Sequence, residues 1–338
     1  MEGIPMNKVI LTGIGDPGAN ARLTRTPVPP VGAKEVRLRM EAAPVNPVDY
    51  LFANGWYPVQ PQLPSPIGSE GVGRVVEVGH GADTSLEGKR VVVLGTYEQG
   101  LWAEEVVVPA RNVVVVPEHV DGLQLAMATI NPATAHLMLT KYVRLRPGDW
   151  IGQTLGNSAV ARWVVALARE AGVRTVSVVR SERAAAEAKA AGADLVFVDG
   201  DDVGERVAAA LGDKRLRLLL DGLGGGDTTG RLATVLEAGG TVVSYSSVDG
   251  AAPVLPLGDL VFAELALRGV WVVNWFRQAP RAEIEKAVGG FVDLIARGAV
   301  AVPVDSVHGL ERFEDALSRD ASPERSGKVL IRLSGAAS

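Results

Sequence analysis

A chain of 338 residues is long enough for about two domains of ordinary size. Apolar residues make up 47% and charged residues 22%, so each domain can bury a core, and a formal net charge of −5 offers no basic stripe for nucleic acid. The absence of cysteine excludes disulfides, a thiol nucleophile and thiolate metal sites, and leaves the cytoplasm as the default compartment. The longest apolar runs, such as Val91–Leu94 and Val113–Val116, are too short to cross a bilayer, so no membrane partner is expected. Met1–Leu11 lacks the charged and apolar regions of a secretory signal. Met1–Pro5 reads either as added residues or as sequence ahead of an alternative start at Met6.

Up to about residue 125 the pattern is β-rich. Short valine-heavy runs at Glu35–Met40, Gly73–Val78, Arg90–Leu94, Ala103–Pro109 and Val113–Val116 are punctuated by Gly and Pro. A long Pro-rich loop, Pro44 to Pro66, carries Asn46, Asp49, Asn54, Trp56 and Tyr57, and a loop of that length in a compact domain points to function. From about residue 130 the rhythm changes to strands alternating with helices. Strands are expected at Asp149–Gln153, Thr175–Val179, Leu195–Val198, Leu216–Leu220 and Thr241–Ser244, with helices at Ser158–Glu170 and Glu182–Ala190. Uniformly apolar strands between helices indicate a parallel sheet covered on both faces. Leu267–Val273 is expected as a further strand, followed by a helix (Arg281–Arg297), a strand near Val302–Val307, a helix (Leu310–Ser318) and a last strand, Lys328–Leu333.

The first strand–turn–helix of this region runs from Trp150 to Ala161. A dinucleotide site needs a tight turn that brings backbone N–H groups and a helix N-terminus to a pyrophosphate. Gly156 is present, but Ala159 and Ala161 stand where further glycines are usual, so the turn alone fits a cofactor loop and an ordinary connection equally. The second strand ends in Val179-Arg180-Ser181, and an arginine there suits a ribose 2′-phosphate where Asp or Glu would suit a free hydroxyl. A solvated surface arginine is the plainer reading. The two features together favour NADPH.

Asn131-Pro-Ala-Thr134-Ala, Leu145-Arg-Pro-Gly-Asp149, Asn157-Ser-Ala-Val160 and Ser177-Val-Val-Arg180 resemble the mitochondrial-type trans-2-enoyl thioester reductases of the zinc-free medium-chain dehydrogenase/reductase superfamily. The resemblance continues in Val45-Asn-Pro-Val-Asp49, Gly55-Trp-Tyr-Pro58, the stretch from Leu260 to Trp271, and Ser326-Gly-Lys328, and so covers nearly the whole chain. Asn46 and the Tyr57-Pro58 step also occur in the related quinone oxidoreductases. The resemblance implies an α/β fold: a doubly wound Rossmann sheet at 129–267, and a β-rich GroES-like catalytic domain from 1–128 plus 268–338. It also implies an active site at the carboxyl ends of the parallel strands. Zinc members of the superfamily use a histidine where this chain has Ser69, and His80, His119, His136 and His308 form no ligand-spaced pair, so no metal is expected.

What the resemblance implies for chemistry is reduction of an activated alkene. Such a reduction places negative charge on a carbonyl oxygen and needs a hydrogen-bond donor there, or a proton for Cα. Tyr57 is the candidate, since an ordinary phenol with a pKa of about 10 stays protonated near neutrality; packing in the Pro-rich loop is its bland alternative. By the same resemblance Asn131, Thr134, Asn157, Ser158, Ala159, Val160, Tyr245, Ser246, Ser247, Val248 and Lys328 join Arg180 in cofactor binding, with Asn46 and Trp271 near the nicotinamide and substrate. Ser246-Ser247 stands where the family has a Gly pair, and Arg183 is displaced by one from a second family arginine. Trp271 and Trp275, at strand-face spacing, border an acyl pocket or sit in the core. Three readings follow: an NADPH-dependent enoyl thioester reductase, an NADPH:quinone or small-enone reductase, and a non-enzymatic NADPH-binding protein. The apolar edge Leu267–Val273 suggests a homodimer.

Overall fold

A computed structural model describes residues 5–248 and 250–333, so the choice between readings of Met1–Pro5 lies mostly outside the described residues. The chain divides into two compact units, one of Met1–Ile130 with Val273–Ser338, the other of Asn131–Val272.

The first unit is built on a seven-stranded sheet. Its order is Val304–Gly309, Lys328–Arg332, Glu35–Pro44, Gly71–Val78, Arg90–Val93, Val113–Val115, with Glu105–Pro109 also pairing with Glu35–Pro44. Glu35–Pro44 is the spine: Val36, Leu38 and Met40 alternate into the core and are fully buried, the period-two pattern of a strand with one buried face. A smaller sheet, Pro5–Leu11 between Ala21–Pro27 and Ser65–Pro66, was not marked by the valine runs, because Asn7, Lys8, Arg22 and Arg25 interrupt its apolar positions.

The Pro-rich loop is shorter than the sequence suggested, since Pro47–Ala53 is a helix. Its start signals were all present. Asn46 stands at the N-cap, Pro47 at the first turn where its missing N–H costs nothing, and Asp49 at the third position accepts the Asn46 N–H at 2.8 Å.

The second unit is a six-stranded, all-parallel sheet in the order Leu195–Val198, Arg174–Val179, Trp150–Gln153, Leu216–Asp221, Leu236–Ser244, Ala266–Gly269. This is the doubly wound Rossmann order, and its direction reverses between Trp150–Gln153 and Leu216–Asp221. Val176, Leu216, Leu219 and Val242 from the strands pack against Val203, Val207 and Leu232 from the helices. The expected strand Leu267–Val273 is cut short. Strand pairing stops at Gly269, and Val272–Gln278 is a helix that buries Val272, Val273 and Phe276, a helical spacing that the apolar run disguised.

Candidate active site

In the Rossmann unit the turn after Trp150–Gln153 sits at the strand-order reversal, where open α/β sheets bind ligands. Leu155 takes a left-handed conformation at φ 48°, and Gly156 donates its N–H to Val178 O at 3.0 Å. A side chain at Gly156 would come within 2.7 Å of the Ser177 Cβ and 3.1 Å of Val179, so glycine is required for the turn to lie against the second strand. Ser158 caps the helix Ala159–Glu170, its Oγ accepting the Ala161 N–H at 3.1 Å. That helix leaves its remaining N-terminal N–H groups, with Ala159 and Val160, directed at the turn. Asn157 donates to Glu187 at 2.8 Å.

Asp221, fully buried at the end of Leu216–Asp221, was missed from sequence because a single Asp after an apolar run carries no distinctive signal. It gathers the opposite turn by accepting from Thr229 at 2.7 Å and from Thr154 at 3.3 Å. Tyr245 N–H donates to Asp221 O at 2.9 Å. The Tyr245 ring lies over Gly222, where an added Cβ would be 2.4 Å from its hydroxyl, and the hydroxyl faces Ser158. Burial pushes the Tyr245 phenol pKa upward, so it remains a donor. The structure therefore brings Tyr245 and Ser158 together. Ser246, Ser247 and Val248 follow as an exposed segment, with Val248 N–H bonded to Leu223 O at 2.8 Å.

Two observations test whether a phosphorylated dinucleotide fits this unit. Asn131 is buried, and its Nδ2 has no hydrogen-bond partner, a donor left for a ligand to satisfy; Thr134 is buried one helical turn on. Arg180 lies exposed at the end of Arg174–Val179 and forms no ion pair or hydrogen bond among the described residues. The residues present fit.

In the sheet-rich unit Tyr57 is 9% exposed, and its ring packs on that of Tyr97 with centroids 4.8 Å apart. Behind it lies a buried polar network. Asn46 Nδ2 donates to Glu70 at 3.0 Å and to Ser69 at 3.3 Å, and Lys328 Nζ donates to Asn46 Oδ1 and Val45 O. Glu70 also accepts from Thr129 N–H at 3.1 Å, Thr129 Oγ at 2.7 Å and Ile130 N–H at 2.9 Å. Burial lowers the Lys328 pKa and raises that of Asp49 to about 7. Lys328 thus belongs to the Asn46 network of this unit, its ammonium directed at Asn46 and Val45.

Zinc does not fit here. Glu70 is engaged by four donors and Ser69 belongs to a hydrogen-bonded string. The chain has no cysteine, and no metal-holding cluster of His, Asp or Glu occurs among the described residues. The two tryptophans do not share a strand face. Trp271 precedes the helix Val272–Gln278, while Trp275 lies within it and donates its indole N–H to Glu283 at 2.6 Å.

Residues 32–118 match the alcohol dehydrogenase GroES-like domain family, and residues 159–289 match the family described as zinc-binding dehydrogenase. A mitochondrial enoyl-[acyl-carrier-protein] reductase of Xenopus tropicalis is 33% identical over 325 residues, covering 94% of this chain and 92% of the relative. Among solved structures, a mycobacterial quinone oxidoreductase superposes with a TM-score of 0.85 at 27% identity, covering 97% of this chain and 99% of the other. The Etr1p/NADP/crotonyl-CoA complex gives a TM-score of 0.86 at 22% identity, covering 97% and 100%. The chain belongs to the medium-chain dehydrogenase/reductase superfamily, in the family of the mitochondrial enoyl-[acyl-carrier-protein] reductases.

Proposed function

We propose that the protein is an NADPH-dependent reductase of the C=C bond of a 2-enoyl thioester. The observation that carries this reading is the kinship with an enoyl reductase along 94% of the chain. Arg180 is the group for the 2′-phosphate. Gly156, Ser158 and the start of Ala159–Glu170 receive the pyrophosphate, while Asn131, Asn157 and Tyr245 complete the site. Bound there, NADPH supplies the hydride that the substrate takes up at Cβ. Tyr57 holds its hydroxyl proton for the thioester carbonyl oxygen or for Cα, where a preorganised donor acts on charge that develops only during reaction. Its ring is fixed by Tyr97, and Asn46 keeps the loop that carries it tied to Glu70 and Lys328.

We propose two further properties. A homodimer is supported by the edge strand Ala266–Gly269, with Leu267 exposed, and by the preceding helix Leu257–Phe262, which buries none of its residues and leaves Phe262 88% exposed. The cytoplasm remains the proposed compartment, on the cysteine-free composition.

The deciding experiment follows NADPH oxidation with crotonyl-CoA, a medium-chain enoyl-CoA and a benzoquinone side by side. Turnover of the thioesters supports the proposal. Turnover of the quinone alone replaces it with the quinone reductase reading, which the likeness to the mycobacterial enzyme favours.

A further inference from the structure

In the Rossmann unit a groove of about 340 Å³ opens between the ends of two helices, Ile130–Thr140 and Ala159–Glu170, and the connection that follows the first of them. Leu139, Val143, Leu145 and Leu167 line it half-buried, Ala168 and Val173 are buried, and Ala171 is exposed. Single exposed aliphatic side chains are ordinary, but here three segments turn theirs onto one concave surface of the size that small molecules occupy. Leu145 comes just before the strand Trp150–Gln153, and Val173 just before its parallel neighbour Arg174–Val179. The groove therefore lies at the amino-terminal edge of the sheet, opposite the carboxyl ends that carry the Gly156 turn.

The polar groups of the groove select the head of a ligand. Thr140 donates its hydroxyl to the His136 carbonyl at 2.7 Å. Arg144 alone among the lining residues carries a permanent charge. It is exposed and forms no ion pair or hydrogen bond among the described residues. The segment that carries it, Thr140-Lys-Tyr-Val-Arg-Leu-Arg-Pro-Gly148, holds three cations and no acid. Of the acids that flank it, Asp149 accepts the Arg146 N–H at 2.7 Å and pairs with Arg217 at 3.3 Å, and Glu170 ends the second helix, exposed.

We propose that this groove binds a fatty carboxylate, its tail covering Leu139, Val143, Leu145 and Leu167 and its head on the Arg144 guanidinium. An apolar lining removes the chain from water, and the planar guanidinium matches a carboxylate with two parallel N–H donors. A neutral amphiphile would leave Arg144 unused, and a cationic one would be repelled by Lys141, Arg144 and Arg146. Because the groove and the Gly156 turn lie at opposite edges of the sheet, the fatty carboxylate and NADPH bind without excluding one another. The proposal is independent of which substrate the protein reduces.

The test is isothermal titration of the full chain with butyrate, octanoate and decanoate, and with decanol and decyltrimethylammonium, in the wild type, Arg144→Ala and Ala171→Phe. Decanoate should bind one per chain, butyrate should not bind, and affinity should rise by up to about fourfold for each methylene buried. Arg144→Ala should weaken decanoate about ten- to a hundredfold and erase its advantage over decanol. Ala171→Phe, a larger side chain at an exposed position, should fill the groove and abolish binding, while NADPH affinity unchanged in both variants shows that the fold is intact. Saturating NADPH should leave the decanoate Kd as it was. No binding of decanoate at millimolar concentration overturns the proposal, as does equal affinity in the wild type and both variants. Displacement of decanoate by NADPH, or decyltrimethylammonium binding as tightly as decanoate, overturns it as well.

Discussion

Lys328 and Asn46, 282 residues apart in the chain, are joined by a hydrogen bond of 2.5 Å from Nζ to Oδ1 in the interior of the sheet-rich unit. The bond ties the last strand to the residue that starts the helix Pro47–Ala53 and so to the loop that presents Tyr57. Replacing Lys328 by Met keeps the stem and leaves the Asn46 and Val45 oxygens without this donor. We expect a loss of about 1–3 kcal/mol, the usual range for a buried acceptor left unsatisfied. Urea unfolding at pH 7 measures it, and an unchanged midpoint would show that the bond contributes nothing to stability.

Asp49 gives a pH dependence of the opposite sign to that of an ordinary salt-bridged carboxylate. Its pKa in the folded protein is about 7 against 3.8 for the free side chain, so between those values the folded state holds more protons than the unfolded state. Stability therefore falls as pH rises through this window, and the cost is complete above about 7. Asp49→Asn keeps an oxygen for the Asn46 N–H and removes the charge. Its stability relative to wild type should rise between pH 5 and 8, by roughly 2–4 kcal/mol. Thermal unfolding at both pH values decides it, and a constant difference would mean that Asp49 is ionised in the fold throughout.

Tyr57→Phe should lower kcat and kcat/KM together, by less than the roughly 10²–10³ lost with an oxyanion-hole donor, because water can enter the gap. NADPH affinity should hold. If only KM rises, Tyr57 binds substrate and does not act on its charge.

Arg180 has no partner among the described residues, so its removal costs the fold little. Arg180→Ala should weaken NADPH binding about ten- to a hundredfold and leave NADH nearly unchanged, as expected for a hydrogen bond to a charged phosphate. Fluorescence titration with both cofactors gives the comparison. Equal losses would assign Arg180 a structural role.

Phe262→Asp and Leu267→Lys place charge on the exposed face and edge of the Rossmann unit. Light scattering should find a dimer for the wild type and a monomer for the double variant, with little change in thermal stability of either unit. A wild type that is monomeric at micromolar concentration removes the dimer proposal.

The Rossmann unit was legible because its strands are short, apolar throughout and separated by helices, a pattern that little else produces. The helix Pro47–Ala53 was equally encoded, in Asn46, Pro47 and Asp49, but the density of prolines around it read as loop. Trp271 and Trp275 were misread because four residues fit both one face of a strand and one turn of a helix, and only the buried Phe276 distinguishes them. Tyr57 stood out as a phenol in a functional loop. Tyr97, whose ring packs on that of Tyr57, did not, because the contact joins residues forty apart through a left-handed backbone, and neither leaves a local pattern. Glu70 likewise leaves no local pattern, since its partners Asn46, Thr129 and Ile130 lie far from it in the chain.

The pairing of Leu330 with Pro44 and of Arg332 with Ala42 has a consequence for synthesis. The Rossmann unit is one continuous segment, Asn131–Val272, and its sheet is complete as soon as that segment has emerged from the ribosome. The sheet-rich unit must wait: Ala42–Pro44 keeps one flank unpaired until Lys328–Arg332 is made, while Glu35–Arg39 is already covered by Glu105–Pro109. A nascent chain therefore finishes its cofactor-binding half first and carries the bare edge of its other half through most of translation. Glu41, next to Ala42 on that strand, sets a charge beside the waiting flank and opposes premature association with other chains.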